Sequence, residues 1–473
     1  MILNFSKFER LRQVIFENAT IITMNPQRQI ITHGCVVVDG TDIVDLGKTK
    51  DLHDKYPGKR RIDCNGNVIM PGLIDRHVHT AQAMIRGCAD DLGLIDWLVK
   101  RVWVLQGNYT EDDGKASAAL CALEMIKSGT TSFIECMLAE VYGFDGVAEK
   151  LIQSGMRAAI GKIVMDLPSY AQAEDVMHPG MVENGETSVN NTLQAFEKWN
   201  GAGDGKIQVW FGPRTPGGVT PGLYEWIGEL ANERDMGITI HLSEVVEDLD
   251  YAKSVGFRSP TEFAQQHGLL GPRSVLAHFV WSDEQDWNII ANTGTHITHN
   301  PASNGKTATG IAPVHGMINS GVNVSIGCDG GPSNNSYDII RDMRMVSYLA
   351  NLREKDPTVI PAETVLEMST INGARAMGIE DQVGSIEVGK KADFILIDMD
   401  KPHLTPAPDP VSTIVYAAHG SDVDTVVIDG QIVMENRKVL TLDEETVVGE
   451  ARRRYDEVTE RAGLTIAPRW PVV

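Results

Sequence analysis

Short apolar runs, each closed by turn-forming or charged residues, recur along the whole chain, but the spacing between them changes twice. From about residue 14 to 47 they lie close together: Val14-Ile-Phe, Ile21-Ile-Thr, Cys35-Val-Val-Val and Ile43-Val44, with a turn at Asp39-Gly40. Such β-rich runs around Asp-Gly predict a small antiparallel sheet. The pattern returns at the far end in Asp393-Phe-Ile-Leu-Ile-Asp398 and Val423 to Val433, where Asp429-Gly430 has the form of a two-residue hairpin turn. We expect one β-sandwich built from both ends, residues 1–67 and 385–473, with a C-terminal extension. Pro402 to Pro410 reads as a loop of it.

Between these ends, over residues 68–384, apolar runs alternate with stretches of helical periodicity such as Lys115 to Ser128 and Gly222 to Asp235. Eight runs read as strands. They end at His79, Glu135, Met165, Phe211, His241, His278, His299 and Ile326. Eight β/α units over this length predict an α/β fold, a TIM (β/α)8 barrel.

The run that organises the chain is Val68-Ile-Met-Pro-Gly-Leu-Ile-Asp-Arg-His-Val-His79. Alternate residues of a strand face the same way, so His77 and His79 can address one point. In such a barrel the functional site lies at the C-terminal ends of the strands. Here strand one ends in His77 and His79, strand five in His241 followed by Glu244, strand six in His278, strand seven in His299 and Asn300, and strand eight runs on to Asp329. Taken singly, each has a bland reading as a hydrogen-bonded core histidine or a turn-shaping aspartate. Taken together, three imidazoles and a carboxylate from distant strands describe an open site for zinc, or for iron or manganese, with a place left for water. A divalent cation lowers the pKa of its water from about 15.7 to about 7, which points to a hydrolase using metal-bound hydroxide. Glu244 is placed to protonate a substrate nitrogen, Asp329 to accept a proton, and His278 to hydrogen-bond the attacking water and the tetrahedral oxygen.

Composition narrows the field. The 473 residues carry 42 Lys plus Arg against 64 Asp plus Glu, a formal charge of −22, with no basic tract. A nucleic-acid partner is disfavoured, because phosphate binding needs clustered cations. No run of eighteen apolar residues occurs, and Met1 to Arg10 lacks a charged segment followed by an apolar core, so neither membrane insertion nor secretion is expected. The six cysteines stand singly and read as reduced core residues of a cytoplasmic protein.

These residues resemble the amidohydrolase superfamily, in its deaminase and chlorohydrolase branch. The resemblance rests on Pro71-Gly-Leu-Ile-Asp-Arg-His-Val-His79, Gly129-Thr-Thr, His241-Leu-Ser-Glu244, Ala277-His278, His299-Asn-Pro-Ala-Ser-Asn304, Asp329-Gly and Gly384 to Phe394. It implies His77, His79, His241 and Asp329 as metal ligands, Glu244 and His278 as the proton-handling pair, and commonly a homo-oligomer. Members with two metals bridge them with a carboxylated lysine ending strand four. Here that strand runs Phe211-Gly-Pro-Arg-Thr-Pro, so one metal per chain is expected, and Lys162 on strand three reads as tied to a neighbouring acid.

For the substrate, Leu92 to Gln106 resembles the loop over the site in deaminases of S-adenosylhomocysteine and methylthioadenosine. Those carry a glutamate for the ribose hydroxyls where Gln106 stands. Glutamine there, Ser333 and the chain end from Val423 to Lys438 resemble the s-triazine hydrolases, whereas His299-Asn-Pro-x-Ser-Asn304 fits the nucleoside deaminases. The expectation is displacement of an amine, or chloride, from a carbon of an electron-poor nitrogen heterocycle, with Trp97, Gln106, His299, Asn300, Asn304 and Ser333 contacting this small-molecule substrate. Alternatives are a deaminase of the adenosine type, hydrolysis of a urea, amide or thiocarbamate bond, and a non-catalytic scaffold; the last is opposed by the complete set of ligands and acid. A further reading makes Gln106 a solvent-facing loop amide.

Overall fold

A computed structural model describes residues 14–472; the reading of Met1 to Arg10 lies outside the described residues. Five strands precede the barrel: β1 (Val14–Ile22), β2 (Ile30–Asp39), β3 (Asp42–Lys48), β4 (Arg60–Asp63) and β5 (Val68–Pro71). Nine parallel strands follow: β6 (Leu73–His79), β7 (Thr130–Leu138), β8 (Arg157–Val164), β9 (Ile207–Pro213), β10 (Ile238–Leu242), β11 (Ser274–His278), β12 (His296–His299), β13 (Asn323–Ile326) and β14 (Asp329–Gly330). The chain ends with β15 (Phe394–Ile397), β16 (Val423–Ile428), β17 (Gln431–Glu435), β18 (Lys438–Val439) and the helix Glu444–Ala462.

All eight expected barrel strands are present, each a fully or almost fully buried run covered by helices, as parallel sheets require. Closure comes from a short ninth segment. After β13 the chain re-forms as β14 and pairs in parallel with β6, Asp329 opposite Val78 and Gly330 opposite His79. Closure of the barrel and placement of Asp329 beside the strand of His77 and His79 are therefore one event.

The ends of the chain form one mixed sheet in the order β18-β17-β16-β15-β5-β1-β2-β3, with β4 also on β1. It departs from the antiparallel expectation where β1 pairs in parallel with β4 and β5. Its two halves share a buried cluster that includes Val36, Ile69, Leu396 and Val427, and Phe16 meets Phe394 edge-on at 5.0 Å. The Asp429-Gly430 hairpin is as expected, with both residues left-handed. Pro402 to Asp409 is irregular apart from a 3-10 turn at Pro402–Leu404, and the helix Pro410–Ala417 starts where it ends.

The long run from Val68 to His79 is two strands, not one. Val68–Pro71 pairs with β1 and β15 in the terminal sheet, past the expected boundary at 67/68, whereas Leu73–His79 enters the barrel. Gly72 is the crossing point, where a Cβ would stand 2.2 Å from the Thr131 side chain. Next to this crossing a buried ion cluster joins the two sheets: Arg157 of β8 donates to Asp393 at 2.7 and 3.0 Å and to Asp429 at 2.9 Å.

Candidate active site

The ends of β6, β10, β11 and β14 deliver their polar side chains to one buried point. His79 Nε2 lies 3.2 Å from Asp329 Oδ1 and 3.2 Å from His241 Nε2, and His77 Nε2 lies 3.4 Å from the same carboxylate oxygen. The atom facing the centre is fixed for two of these rings. His241 Nδ1 is 3.2 Å from the carbonyl of Arg214, to which it donates, and His79 Nδ1 faces Glu135 Oε1 at 3.9 Å. Glu135 is itself held by the backbone N–H groups of Thr80 and Met137. The Nε2 lone pairs of His79 and His241 therefore confront each other, and both nitrogens of His77 lack a hydrogen-bond partner. Unpaired buried acceptors around a carboxylate are costly unless a cation sits among them. By this test the residues present fit a divalent cation.

Above the centre stand Glu244 and His278, 3.7 Å apart, with His278 Nε2 also 4.0 Å from Asp329 Oδ2. Burial, reinforced by the charges of Asp329 and Asp248, pushes the Glu244 carboxyl up to about 8. Burial likewise pushes His278 down to about 3, so its ring is neutral. The Asn304 amide donates to His278 Nδ1 at 3.0 Å, which leaves the ring hydrogen on Nε2, and that atom has no hydrogen-bond partner among the described residues. Against the cost of burial, the imidazoles of His77 and His79 beside it hold Asp329 well below the usual carboxylate range; its Oδ2 also accepts from Ser303 at 2.6 Å. Ser243, His278 and Asp329 all adopt left-handed φ, 55°, 73° and 68°. Such strain in non-glycine residues costs roughly 1–3 kcal/mol each and clusters at functional sites.

A cavity opens over this centre. Its wall includes three of the six residues expected to contact substrate, Trp97, Gln106 and Ser333, together with Gln82, Trp103 and Arg214, which the sequence did not single out. Trp97 Nε1 donates to the carbonyl of Pro332 at 3.3 Å, and Gln106 is buried, 3.5 Å from Gln82 Nε2, so it is no solvent-facing amide. Ser333 turns its hydroxyl onto the backbone of Gly330. Trp97 and Gln106 lie on a helical segment, 94–106, whose middle, Leu98–Val102, widens to a π-turn; such turns recur at functional sites.

The other three expected substrate contacts stand behind the wall. Asn304 is engaged by His278 and Thr309. Asn300 accepts from Thr298 and packs against Gly327, and His299 is fully buried. His299 ends β12, Asn300 follows it, and Asn304 lies on the helix Pro301–Lys306, which presents Ser303 rather than Asn304 to the opening. Lys162 is not at the site; it pairs with Glu183 at 2.6 Å and Glu140 at 3.3 Å.

The family model for the amidohydrolase family matches residues 68–433. The chain belongs to the amidohydrolase family. This amidohydrolase is 37% identical over 454 residues to a 5′-deoxyadenosine deaminase of Methanosarcina acetivorans, covering 96% of this chain and 100% of that one. It is 38% identical over 427 residues to a 5-methylthioadenosine/S-adenosylhomocysteine deaminase of Desulforudis audaxviator, covering 90% and 95%. Among solved structures it is similar to an adenosine deaminase from Xanthomonas campestris with bound zinc, with a TM-score of 0.88, 27% identity and coverage of 95% and 99%. The zinc-complexed atrazine chlorohydrolase from Arthrobacter aurescens TC1 has a TM-score of 0.84 at 24% identity, covering 93% and 100%, a likeness of fold. The amidohydrolase described here is a hydrolase acting on carbon–nitrogen bonds. No helix among the described residues is long and apolar enough to cross a membrane.

Proposed function

We propose that this amidohydrolase removes an amino group by hydrolysis from an aminopurine-type ring, free or in a nucleoside, at a single divalent metal held by His77, His79, His241 and Asp329. The observation that carries the reading is a buried carboxyl, Glu244, kept protonated beside the neutral ring of His278, over a nest of imidazoles that fits a cation. Relatives with more than a third of their residues in common are named for deamination of 5′-substituted adenosines, which favours that reaction over the displacement from a triazine first expected. We take the metal to be zinc, on the chemistry of three imidazoles and one carboxylate.

When bound, the cation supplies Lewis-acid activation of water. The side chains do the rest. Glu244 donates its proton to the ring nitrogen next to the reacting carbon, so that no full negative charge builds on the ring. The Nε2–H of His278 orients the incoming oxygen, and Asp329 accepts a proton from it. Water's oxygen forms the new bond to carbon, the carbon–nitrogen bond breaks, and the amine leaves as ammonia. Trp97 and Trp103 flank the ring, and Gln106 meets it with a neutral amide, a weaker partner for a vicinal diol than a carboxylate.

Ammonia release from a panel of aminopurines and their nucleosides, run beside chloride and amine release from s-triazines, tests the reading. Turnover of an aminopurine-type ring is expected. Turnover restricted to triazines would restore the alternative that Gln106 favours. We also expect a homo-oligomer, measurable by light scattering.

A further inference from the structure

The cavity wall carries a buried cation, Arg214, that forms no ion pair among the described residues and feels the charges of Glu244 and Asp248 only at a distance. Arg214 follows the end of β9, is 5% exposed, and its backbone carbonyl is the group that holds His241. Its guanidinium carbon lies 5.9 Å from the centre of the Trp103 ring and 5.7 Å from that of Tyr170. Nε and Nη1 have no hydrogen-bond partner, and no carboxylate among the described residues forms an ion pair with it. The mechanism above gives it no task. Gln82, held elsewhere on the same cavity wall after β6, leaves its side-chain oxygen unpartnered as well.

A guanidinium keeps its charge, has donors only, and presents them as a rigid fork. Buried without an acceptor it is costly, and two adjacent acceptor atoms of a ligand would satisfy it best. The edges of the purines differ in this respect. The carbonyl oxygen of an oxo-purine and the unprotonated nitrogen on the same edge, O6 and N7 of guanine, offer two acceptors, whereas the same edge of adenine offers an acceptor beside an amino donor, which opposes the fork. A carboxylate on a 5′ extension would also supply two oxygens. The groove beside the mouth is lined by Glu247 and by Asp96, the latter paired with Lys100, so its lining offers a carboxylate no cation.

We propose that Arg214 is a specificity-determining residue that binds a carbonyl oxygen of the substrate and the unprotonated ring nitrogen on the same edge, so that the substrate is an amino-oxo fused pyrimidine. This rests on the deaminase reading and narrows it. The reaction is unchanged: water supplies the oxygen, ammonia leaves, and no electrons are exchanged with a second reactant.

The test compares kcat/KM of the metal-loaded enzyme for guanine, pterin, 5′-deoxyadenosine and S-adenosylhomocysteine, in the natural chain, Arg214→Met and Arg214→Lys. Guanine or pterin should exceed 5′-deoxyadenosine by at least about 100-fold. Arg214→Met should erase that preference, with metal content unchanged, and Arg214→Lys should restore part of it. Equal losses on all four substrates, or a natural preference for 5′-deoxyadenosine, would overturn the proposal and leave the deaminase reading standing. A preference confined to S-adenosylhomocysteine and lost in Arg214→Met would assign the acceptor to the carboxylate and overturn the ring-carbonyl assignment. No ammonia from any substrate would remove the deaminase reading and the proposal with it.

Discussion

Asn304 distinguishes a substrate-contacting residue from one that acts through His278, because the two roles move different kinetic constants. In the structure its amide donates to His278 Nδ1 at 3.0 Å and to Thr309 Oγ1 at 2.9 Å, and it has no place on the cavity wall. Asn304→Ala deletes both bonds but leaves the preferred tautomer of His278 accessible. One such bond is worth about 0.5–1.5 kcal/mol, which at about 1.36 kcal/mol per tenfold predicts a fall in kcat of about 2- to 13-fold. Asn304→Asp is the sharper variant. A carboxylate at this position accepts from Nδ1–H, moves the ring hydrogen off Nε2, and removes the donor that faces the reacting oxygen. Loss of one such donor costs roughly 10²- to 10³-fold in kcat. Steady-state kinetics on whichever aminopurine the enzyme turns over, with metal content checked for each variant, gives the answer. Equal effects of Ala and Asp, or a rise in KM with kcat intact, would refute the assignment and return Asn304 to the substrate.

Glu244→Gln should lower kcat by about 10²- to 10⁴-fold while metal content stays at the level of the natural chain, as expected of a proton donor that is not a ligand. Chelation should abolish turnover, and His77→Ala should lower metal content measured by elemental analysis; full activity after exhaustive chelation would remove the metal centre from the account. Burial pushes Asp248 up to about 6 from 3.8. The native state therefore holds that proton more tightly than the unfolded chain, so its contribution, about 3 kcal/mol for a shift of that size, is full below pH 3.8 and is lost as pH rises through 6. Asp248→Asn, whose amide oxygen can still accept from the Glu244 backbone, should flatten the decline in denaturation midpoint between about pH 4 and 6. Arg157→Met should cost about 3–5 kcal/mol, since it strands Asp393 without a cation and leaves Asp429 only Lys206 at 3.8 Å; an unchanged melting temperature would show that the joint between the sheets does not need it.

The barrel was legible because parallel strands buried on both faces must be apolar throughout, so a histidine or acid closing such a run stands out. His79, His241, His278 and Asp329 were visible for that reason. The same rule misread Val68 to His79, where two buried strands in different sheets join through one glycine and no polar residue marks the crossing. His299, Asn300 and Asn304 were misplaced because nearness to a strand end in sequence says nothing of the direction in which the next helix turns. Arg214 was read only for the lysine it is not. An arginine in a Gly-Pro-Arg-Thr-Pro loop looks like surface, and only the stacking of Trp103 and Tyr170 around it, residues distant in sequence, reveals it as buried.

The left-handed residues tie these strands of argument together. Strained backbone marks three ends of the barrel sheet: Ser243 two residues after His241, His278 itself at the end of β11, and Asp329 itself where β14 joins β6. An L-residue in that conformation gives up local stability, of order 1–3 kcal/mol, that the surrounding packing must return. The fold returns it through contacts that also aim the chemistry. Asp248 accepts the backbone N–H groups of Glu244 and Val245, Asn304 fastens the His278 ring, and Ser303 together with the β14–β6 pairing fixes Asp329. Cutting one of these contacts should therefore release the strain at a single strand end and disturb one functional group. A backbone that relaxed to ordinary φ without loss of rate would show that the strain is incidental to the site.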